Sequence, residues 1–557
     1  MGGINRVASK TVSSWSQITQ LFDITNPQFN LATGTQTSGG DASWESQLGY
    51  FGRLNYALMD KYLFEANLRY DGSSKFPTNL HWRWFPSFSA GWRASEENFM
   101  QWIKPAVSSL KLRGSWGTIG DQTVPNDLYV ATMTSYNSTW LNNGSKLVYY
   151  GTPAAVSAKI MWQDITTLDF GFDMRMLNNE LGISFDCYQR STENMIAPGA
   201  TLANTFGTDS PKGNYGNLRT RGWEISIDYN HRFSNGIGIN AVATLADATT
   251  KITKFASGGS KMLSSTYYEG QTYGEIWGYK TDRLYQKDDF ELDANGNLQP
   301  ITLTSAESVK YAGKKAYKLK TIDGKKPVYQ AYLQNSSDFL FGPGDVKFVD
   351  LNGDGELNNG SNSVSDHGDL SVIGNSTPRY EYGLRLGADW KGFDCSVFFQ
   401  GVGKRDIWGY GTLAIPGFNS SDGAMPEAIA GNFWKEDRTD AFYPRAYNLG
   451  SPSLGSNLNN MQVQSKYLLN MAYLRVKNIT LGYSVPQSLL SKAYISKARI
   501  YVALENFFTF DNLHGLPVDP ETISGNSIFD STNYNSGRTG TGTPMFKSVS
   551  FGVQLNF

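Results

Sequence analysis

Leu168 to Arg190 reads LDFGFDMRMLNNELGISFDCYQR, and these residues decide the fold. Before the link Leu177-Asn178-Asn179-Glu180, the apolar Leu168, Phe170, Phe172, Met174 and Met176 alternate with Asp169, Gly171, Asp173 and Arg175. After it, Leu181, Ile183, Phe185 and Cys187 alternate with Gly182, Ser184, Asp186 and Tyr188. Successive side chains of a strand point to opposite faces, so a period of two makes a ribbon with one apolar and one polar face. Paired asparagines tolerate the backbone of a tight turn, and the segment is predicted as an antiparallel hairpin.

Working outward, the pattern recurs. Trp223, Ile225, Ile227 and Tyr229 alternate with Glu224, Ser226, Asp228 and Asn230, and Ser234-Asn235-Gly236 turns the chain into Ile237, Ile239, Ala241 and Ala243. Tyr382, Leu384, Leu386, Ala388 and Trp390 alternate with Gly383, Arg385, Gly387 and Asp389, and Lys391-Gly392 leads into Phe393, Cys395, Val397 and Phe399. A soluble β-sandwich with its polar face in solvent is the competing reading. Charges such as Asp173, Arg175, Glu224, Arg385 and Asp389 suit a watery lumen, because a dry interior buries charge only with partners.

Connection lengths favour the lumen. Short links at Asn178, Asn235 and Lys391 alternate with long ones from Ala246 to Thr377 and from Val402 to Met471. Transmembrane barrels have this asymmetry, with tight periplasmic turns and long extracellular loops. From Gln47 to the end we count about thirteen strands of near-spanning length, and a weaker one at Val7 to Ser16 brings the total to about fourteen. In the last of them Val549, Phe551, Val553, Leu555 and the terminal Phe557 alternate with Ser548, Ser550, Gly552, Gln554 and Asn556.

Composition fits a wall wet on one side: aromatics reach 14% and charged residues only 18% of 557 residues. No apolar run attains the roughly 18 residues of a spanning helix, but barrel strands hide their apolar content in alternate positions. A net charge of −1 supplies no field for nucleic acid. Cys187 and Cys395 form no CxxC motif, and His81, His231, His367 and His514 are scattered. No hydrolase elbow, Walker loop or HExxH motif occurs, and the adjacent Glu96 and Glu97 read as solvated charges, so no enzyme and no organic cofactor are expected.

Several segments carry a family resemblance. Tyr50 to Tyr56 reads YFGRLNY, Asn67 to Phe76 NLRYDGSSKF and Phe85 to Arg93 FPSFSAGWR. LKLRGSWGTIGDQ begins at Leu110, FGPGDVKFVDLNGDGEL at Phe341 and ADWKGFDCSVFFQGVGKRDIW at Ala388. Together they resemble the SusC/RagA-type TonB-dependent outer-membrane transporters over most of the chain. The resemblance implies an all-β, antiparallel transmembrane barrel of about 22 strands with a plug. It also implies energy from the TonB complex acting through the plug, a SusD-like surface lipoprotein as partner, and an oligosaccharide or peptide ligand. The location implied is the outer membrane, bounded by its lipid, of a Gram-negative, Bacteroidetes-like cell. Met1 to Ser14 reads MGGINRVASKTVSS and lacks the apolar core of a signal peptide. Residues 1–557 are therefore expected to be the C-terminal part of such a barrel, with its plug and first strands absent, and 247–379 a large extracellular loop insertion. A surface adhesin or carbohydrate-binding β-protein without transport is the alternative, and an outer-membrane enzyme with its site in the loops a further one.

Within that insertion Asp350, Asn352, Asp354 and Glu356 place oxygens on alternate residues around a glycine turn, as a calcium loop does. Ser361 stands where a bidentate Glu belongs, so Asp366 or Asp369 would have to complete a structural Ca²⁺ site, and an ion-free Asx-rich turn is the other reading. Trp140, Tyr149, Tyr150, Tyr267, Tyr268 and Trp277 fall in predicted extracellular regions and are the candidate ligand contacts, since aromatic faces stack on sugars and peptides.

Overall fold

The computed structural model describes every residue except 201, 257–262, 264–266, 322–323, 325, 335–338, 410–426, 447–458, 491–494 and 522–544. Fourteen long strands follow one another in a single sheet in chain order. They are β1 (Gly2–Ile18), β2 (Gln36–Leu58), β3 (Tyr62–Ser73), β4 (Trp82–Arg93), β5 (Val107–Asp121), β6 (Gln163–Met176) and β7 (Leu181–Pro198). The order continues with β8 (Lys212–Arg232), β9 (Gly238–Lys254), β10 (Arg379–Trp390), β11 (Phe393–Lys404), β12 (Tyr473–Ser484), β13 (Lys497–Asp511) and β14 (Ser548–Asn556). The other sheets among the described residues have two strands each, so the stacked sheets of a sandwich are not what these ribbons form.

The turn residues explain the pairing. Lys391 and Gly392 both take positive φ, which closes the two-residue link of β10 and β11 and pairs Trp390 with Phe393. Leu177, Asn178 and Asn179 are left-handed as well, as the asparagines suggested. Two strands outgrow the sequence reading. β1 runs over Gly2–Ile18 rather than Val7 to Ser16, and β2 begins at Gln36 rather than Gln47. Their outer halves are rich in Ser, Thr and Gly, so backbone pairing in perfect register sustains them where no apolar alternation announces them.

By its contacts the chain divides into two compact units. One comprises Met1–Arg93, Leu112–Phe170 and Gln189–Arg219; the other Ala94–Lys111, Gly171–Tyr188 and Thr220–Phe557. In the first, Leu54, Phe64, Phe88, Trp116 and Phe170 share one face of the sheet and are exposed. In the second, Leu481, Ile500 and Phe551 do the same at 52%, 54% and 83% exposure. A continuous apolar face of that extent belongs against hydrocarbon, not water. Aromatic rings edge it: Tyr50, Tyr70, Trp82 and Trp84 stack at one level of the first unit. Trp92 lies on the same face about eight residues beyond Trp84 along β4, roughly 27 Å at the usual strand rise, the spacing of two interfacial belts. In the second unit Trp390, Phe393 and Tyr483 gather beside the short turns, with Phe393 and Tyr483 4.6 Å apart.

Each unit also has a core away from that face. In the first, Phe76, Phe85, Ile160, Trp162 and Ile196 pack together, and Trp162 donates to the His81 carbonyl at 2.9 Å. In the second, the described parts of the long connections after β9, β11 and β13 fold onto one another around Tyr279, Phe348, Trp408, Trp434, Tyr467 and Leu513. The 247–379 segment thus contributes to a packed cap together with residues beyond it, which the sequence reading did not foresee.

A lysine placed midway between the aromatic belts tests the two faces. Ala66→Lys, on the apolar side, is expected to cost about 2–4 kcal/mol in urea unfolding from lipid vesicles, and Ser89→Lys, on the polar side of the next strand, less than about 1 kcal/mol. Equal costs would show that the two faces meet the same medium.

Candidate functional site

The polar face is a field of ion pairs. In the first unit Arg53 meets Glu65 at 2.6 Å, Arg69 meets Asp71 at 3.0 Å and Arg83 meets Asp164 at 2.5 Å. In the second, Arg175 meets Asp228 at 2.6 Å, Arg232 meets Asp389 at 2.8 Å, Arg379 meets Asp247, and Arg499 meets Asp394 at 2.5 Å. Three of these pairs span two strand spacings by passing over a glycine. Arg499 of β13 reaches Asp394 of β11 across Gly482 of β12, where an added Cβ would lie 2.6 Å from both side chains. Gly182 and Gly238 stand in the same relation to Arg175–Asp228 and Arg232–Asp389. Each partly exposed pair is worth little alone, within about 1 kcal/mol, but together they give a hydrated wall with defined hydrogen-bonding positions.

Where this wall meets the cap, a cavity of about 620 Å³ opens. Glu224, Glu381, Gln400, Arg405, Tyr473 and Glu521 line it, so it presents carboxylates, an amide, a guanidinium and a phenol. Arg405 is fixed by its Nε donating to the Ser376 carbonyl at 2.9 Å. Above it sits a group that the sequence did not single out. Arg475 is 5% exposed, donates from Nε to Thr509 at 2.9 Å and contacts both Asp519 at 2.8 Å and Glu521. Lys477 also holds Glu521, at 2.9 Å. Burial alone would raise the Asp519 carboxyl, but the Glu521 and Met545 amides and the Arg475 guanidinium outweigh it and hold the group below the usual carboxylate range. The network ties residues 519–521 to β12 and β13. A charged residue near the start of a strand was its only sequence signal.

The candidate calcium residues are only partly gathered. Asp350 accepts from the Gly353 and Gly355 amides at 2.7 and 2.9 Å, Asn352 from the Asp354 amide at 3.0 Å, and Asp354 from the Glu356 amide at 2.8 Å. Glu356 turns away to the Ser308 hydroxyl at 2.8 Å, and Asp366 to the Ser361 amide at 2.9 Å. Asp369 is fully buried, accepting from Leu351 and Asn358 at 2.8 and 2.7 Å, and burial raises its carboxyl. Among the described residues no three His, Cys, Asp or Glu side chains converge to hold a metal ion. The turn therefore offers the first three calcium positions without the bidentate carboxylate, and an ion would need carbonyl and water oxygens to complete its shell.

The candidate ligand aromatics separate into two groups, one in each unit. Trp140, Tyr149 and Tyr150 project from the hairpin Ser135–Asn142/Ser145–Tyr150 and are exposed, with Tyr149 stacked on Tyr136 at 5.4 Å. Tyr267 and Tyr268 are 4% and 5% exposed and pack inside the cap. Tyr268 donates to Glu275 at 2.8 Å and accepts from the Trp277 indole at 3.2 Å, so these rings brace the cap and their faces meet protein.

Comparison with known proteins accords with this geometry. Residues 3–506 match the family model described as TonB dependent receptor-like, beta-barrel. The chain is 26% identical over 520 residues to TonB-dependent receptor P3 of Formosa agariphila, covering 91% of this chain and 45% of that protein. It is 27% identical over 488 residues to TonB-dependent receptor SusC of Bacteroides thetaiotaomicron, covering 87% of this chain and 42% of that protein. The chain thus spans about half the length of the curated relatives it matches. Its fold is similar to that in the structure of the RagAB peptide transporter, with a TM-score of 0.69 at 19% identity over 100% of this chain and 53% of that one.

The Arg475 network has a measurable signature. Arg475→Met leaves Asp519 and Glu521 without their shared cation and is expected to destabilise the cap by about 3–5 kcal/mol, read as lost hydrogen-exchange protection near Leu513. In the unaltered protein the contribution of Asp519, whose pKa is lowered on folding, is fully present above its ordinary value near 4 and fades as pH falls through the lowered one. Protection should therefore drop in strong acid for the natural protein and be low at every pH for the variant; identical protection in the two at neutral pH refutes the role.

Proposed function

The chain belongs to the TonB dependent receptor-like β-barrel family and is an outer-membrane protein, and from that premise we propose that it forms the wall and folded surface loops of a nutrient importer. One observation carries the reading: a wall whose apolar face suits lipid and whose polar face carries a series of ion pairs, with the described parts of its long connections folded into a packed cap. An adhesin needs the cap but gains nothing from an ordered polar inner face. The inner wall offers hydrogen-bonding groups to a hydrated solute, which supports passage.

Oligosaccharides or peptides are the proposed cargo. The fold shared with the RagAB peptide transporter supports peptides, and the resemblance of the sequence motifs to SusC/RagA-type transporters implies either class. The proposed partners are a SusD-like lipoprotein over the cap and the TonB complex, which would deliver proton-motive energy through a plug within the barrel. Exposed Trp140, Tyr149 and Tyr150 are the proposed first contacts for ligand or lipoprotein.

Uptake decides between importer and adhesin. Cells lacking the gene should lose growth on a subset of oligosaccharides or peptides as sole carbon source, and an uncoupler should stop uptake in the parent strain while leaving surface binding intact. Undiminished growth and uptake across a broad panel would falsify the importer reading. Structural calcium at Asp350, Asn352 and Asp354 is proposed separately, on the alternation of their oxygens. Its check is a thermal melt in excess EGTA and again in millimolar calcium: a rise of several degrees with calcium is expected, and coincident curves refute it.

A further inference from the structure

The cap of the second unit holds a further cavity, of about 850 Å³, away from the inner wall. Lys287, Lys435 and Arg445 stand around it with Tyr317 and Phe433, against one acid, Glu436. The cations are held in place by different means. Arg445 donates to the buried Asp345 at 3.3 Å, and the Lys435 ammonium lies 5.0 Å from the centre of the Phe433 ring. Two lysines elsewhere in the cap are held by carboxylates, Lys318 by Glu291 at 2.7 Å and Lys347 by Asp282 at 3.1 Å. At the cavity, Lys287 and Lys435 have no carboxylate within ion-pair distance among the described residues.

Lysines left without counterions around a concave site raise the local concentration of anions. The volume lies within the range of ordinary ligand pockets, enough for a short oligomer and too small for a folded partner. Half-buried Tyr317 and the neighbouring Leu298 and Pro343 add an apolar side suited to the C–H face of a pyranose ring. We propose that this cavity binds acidic oligosaccharides, carrying uronate carboxylates or sulfate esters, with Lys287, Lys435 and Arg445 receiving the anionic groups and Tyr317 the ring face. The assignment deepens the importer reading by naming a substrate class, yet binding itself requires neither TonB nor transport.

The test is calorimetric titration of the purified full chain in detergent with trigalacturonate, maltotriose and triglutamate. Trigalacturonate should bind tightest, more weakly as salt is raised, and about tenfold more weakly in Lys287→Ala/Lys435→Ala, two exposed substitutions that should leave the melting temperature unchanged. Lys287→Arg/Lys435→Arg should restore most of the affinity, which separates charge from folding. The proposal is overturned if maltotriose binds as well as trigalacturonate, if the alanine variant binds unchanged, if nothing binds, or if triglutamate binds tightest, which reassigns the cavity to acidic peptides. Absent binding with energy-dependent uptake intact removes this assignment alone; binding without such uptake removes the importer reading alone.

Discussion

In hydrocarbon a backbone N–H or C=O without a partner costs several kcal/mol, and everything else in this chain follows from meeting that constraint with neighbouring strands. Backbone pairing in strand after strand, β1 to β14 in simple sequence order, satisfies the polar groups locally and leaves the side chains free to differ by face. The outward face is then apolar because lipid covers it. The opposite face is polar because water meets it. A soluble protein of this size would bury Leu481, Ile500 and Phe551; here their exposure is the structural mark of the membrane.

The polar face has a problem of its own, since charges crowded on adjacent strands must find partners without collapsing the wall. Glycines solve it at Gly182, Gly238 and Gly482 by leaving a gap over which an arginine reaches the aspartate two strands away. Such a pair links three strands with one contact, and its members are hydrated enough to avoid the desolvation cost of a buried pair. Arg475 is the exception. It is buried, bound to two acids and a hydroxyl, and stands where the wall turns into the cap, so its removal leaves two carboxylates without their shared partner.

The cap obeys different physics. Away from the lipid face, loops after β9, β11 and β13 acquire an ordinary core in which Tyr279, Phe348, Trp434, Tyr467 and Leu513 exclude water. Rings that a sequence reading assigns to ligand are used instead as packing, as Tyr268 shows by its bonds to Glu275 and Trp277. Open surface is left at the margins: the exposed hairpin around Trp140 and Tyr149, the carboxylate-lined cavity beside Arg405, and the cation-rimmed cavity beside Tyr317.

The sequence by itself determined the strands, their two faces and their count, because the period of two is a local property and Asn178-Asn179 or Lys391-Gly392 mark a turn wherever they stand. It could not show that β1 and β2 extend so far, since their Ser- and Gly-rich ends are held by backbone bonds that any residue can make. Nor could it pair Arg499 with Asp394, more than a hundred positions apart, or bring Asp519 to Arg475. Asp350, Asn352 and Asp354 were legible as one turn because they are neighbours, while the direction of Glu356 depended on Ser308, 48 positions away, which the fold alone supplies. Burial of Tyr267 and Tyr268 was likewise decided by folding: the sequence does not say that Phe255, Tyr273, Glu275 and Trp277 of the same connection will close around them.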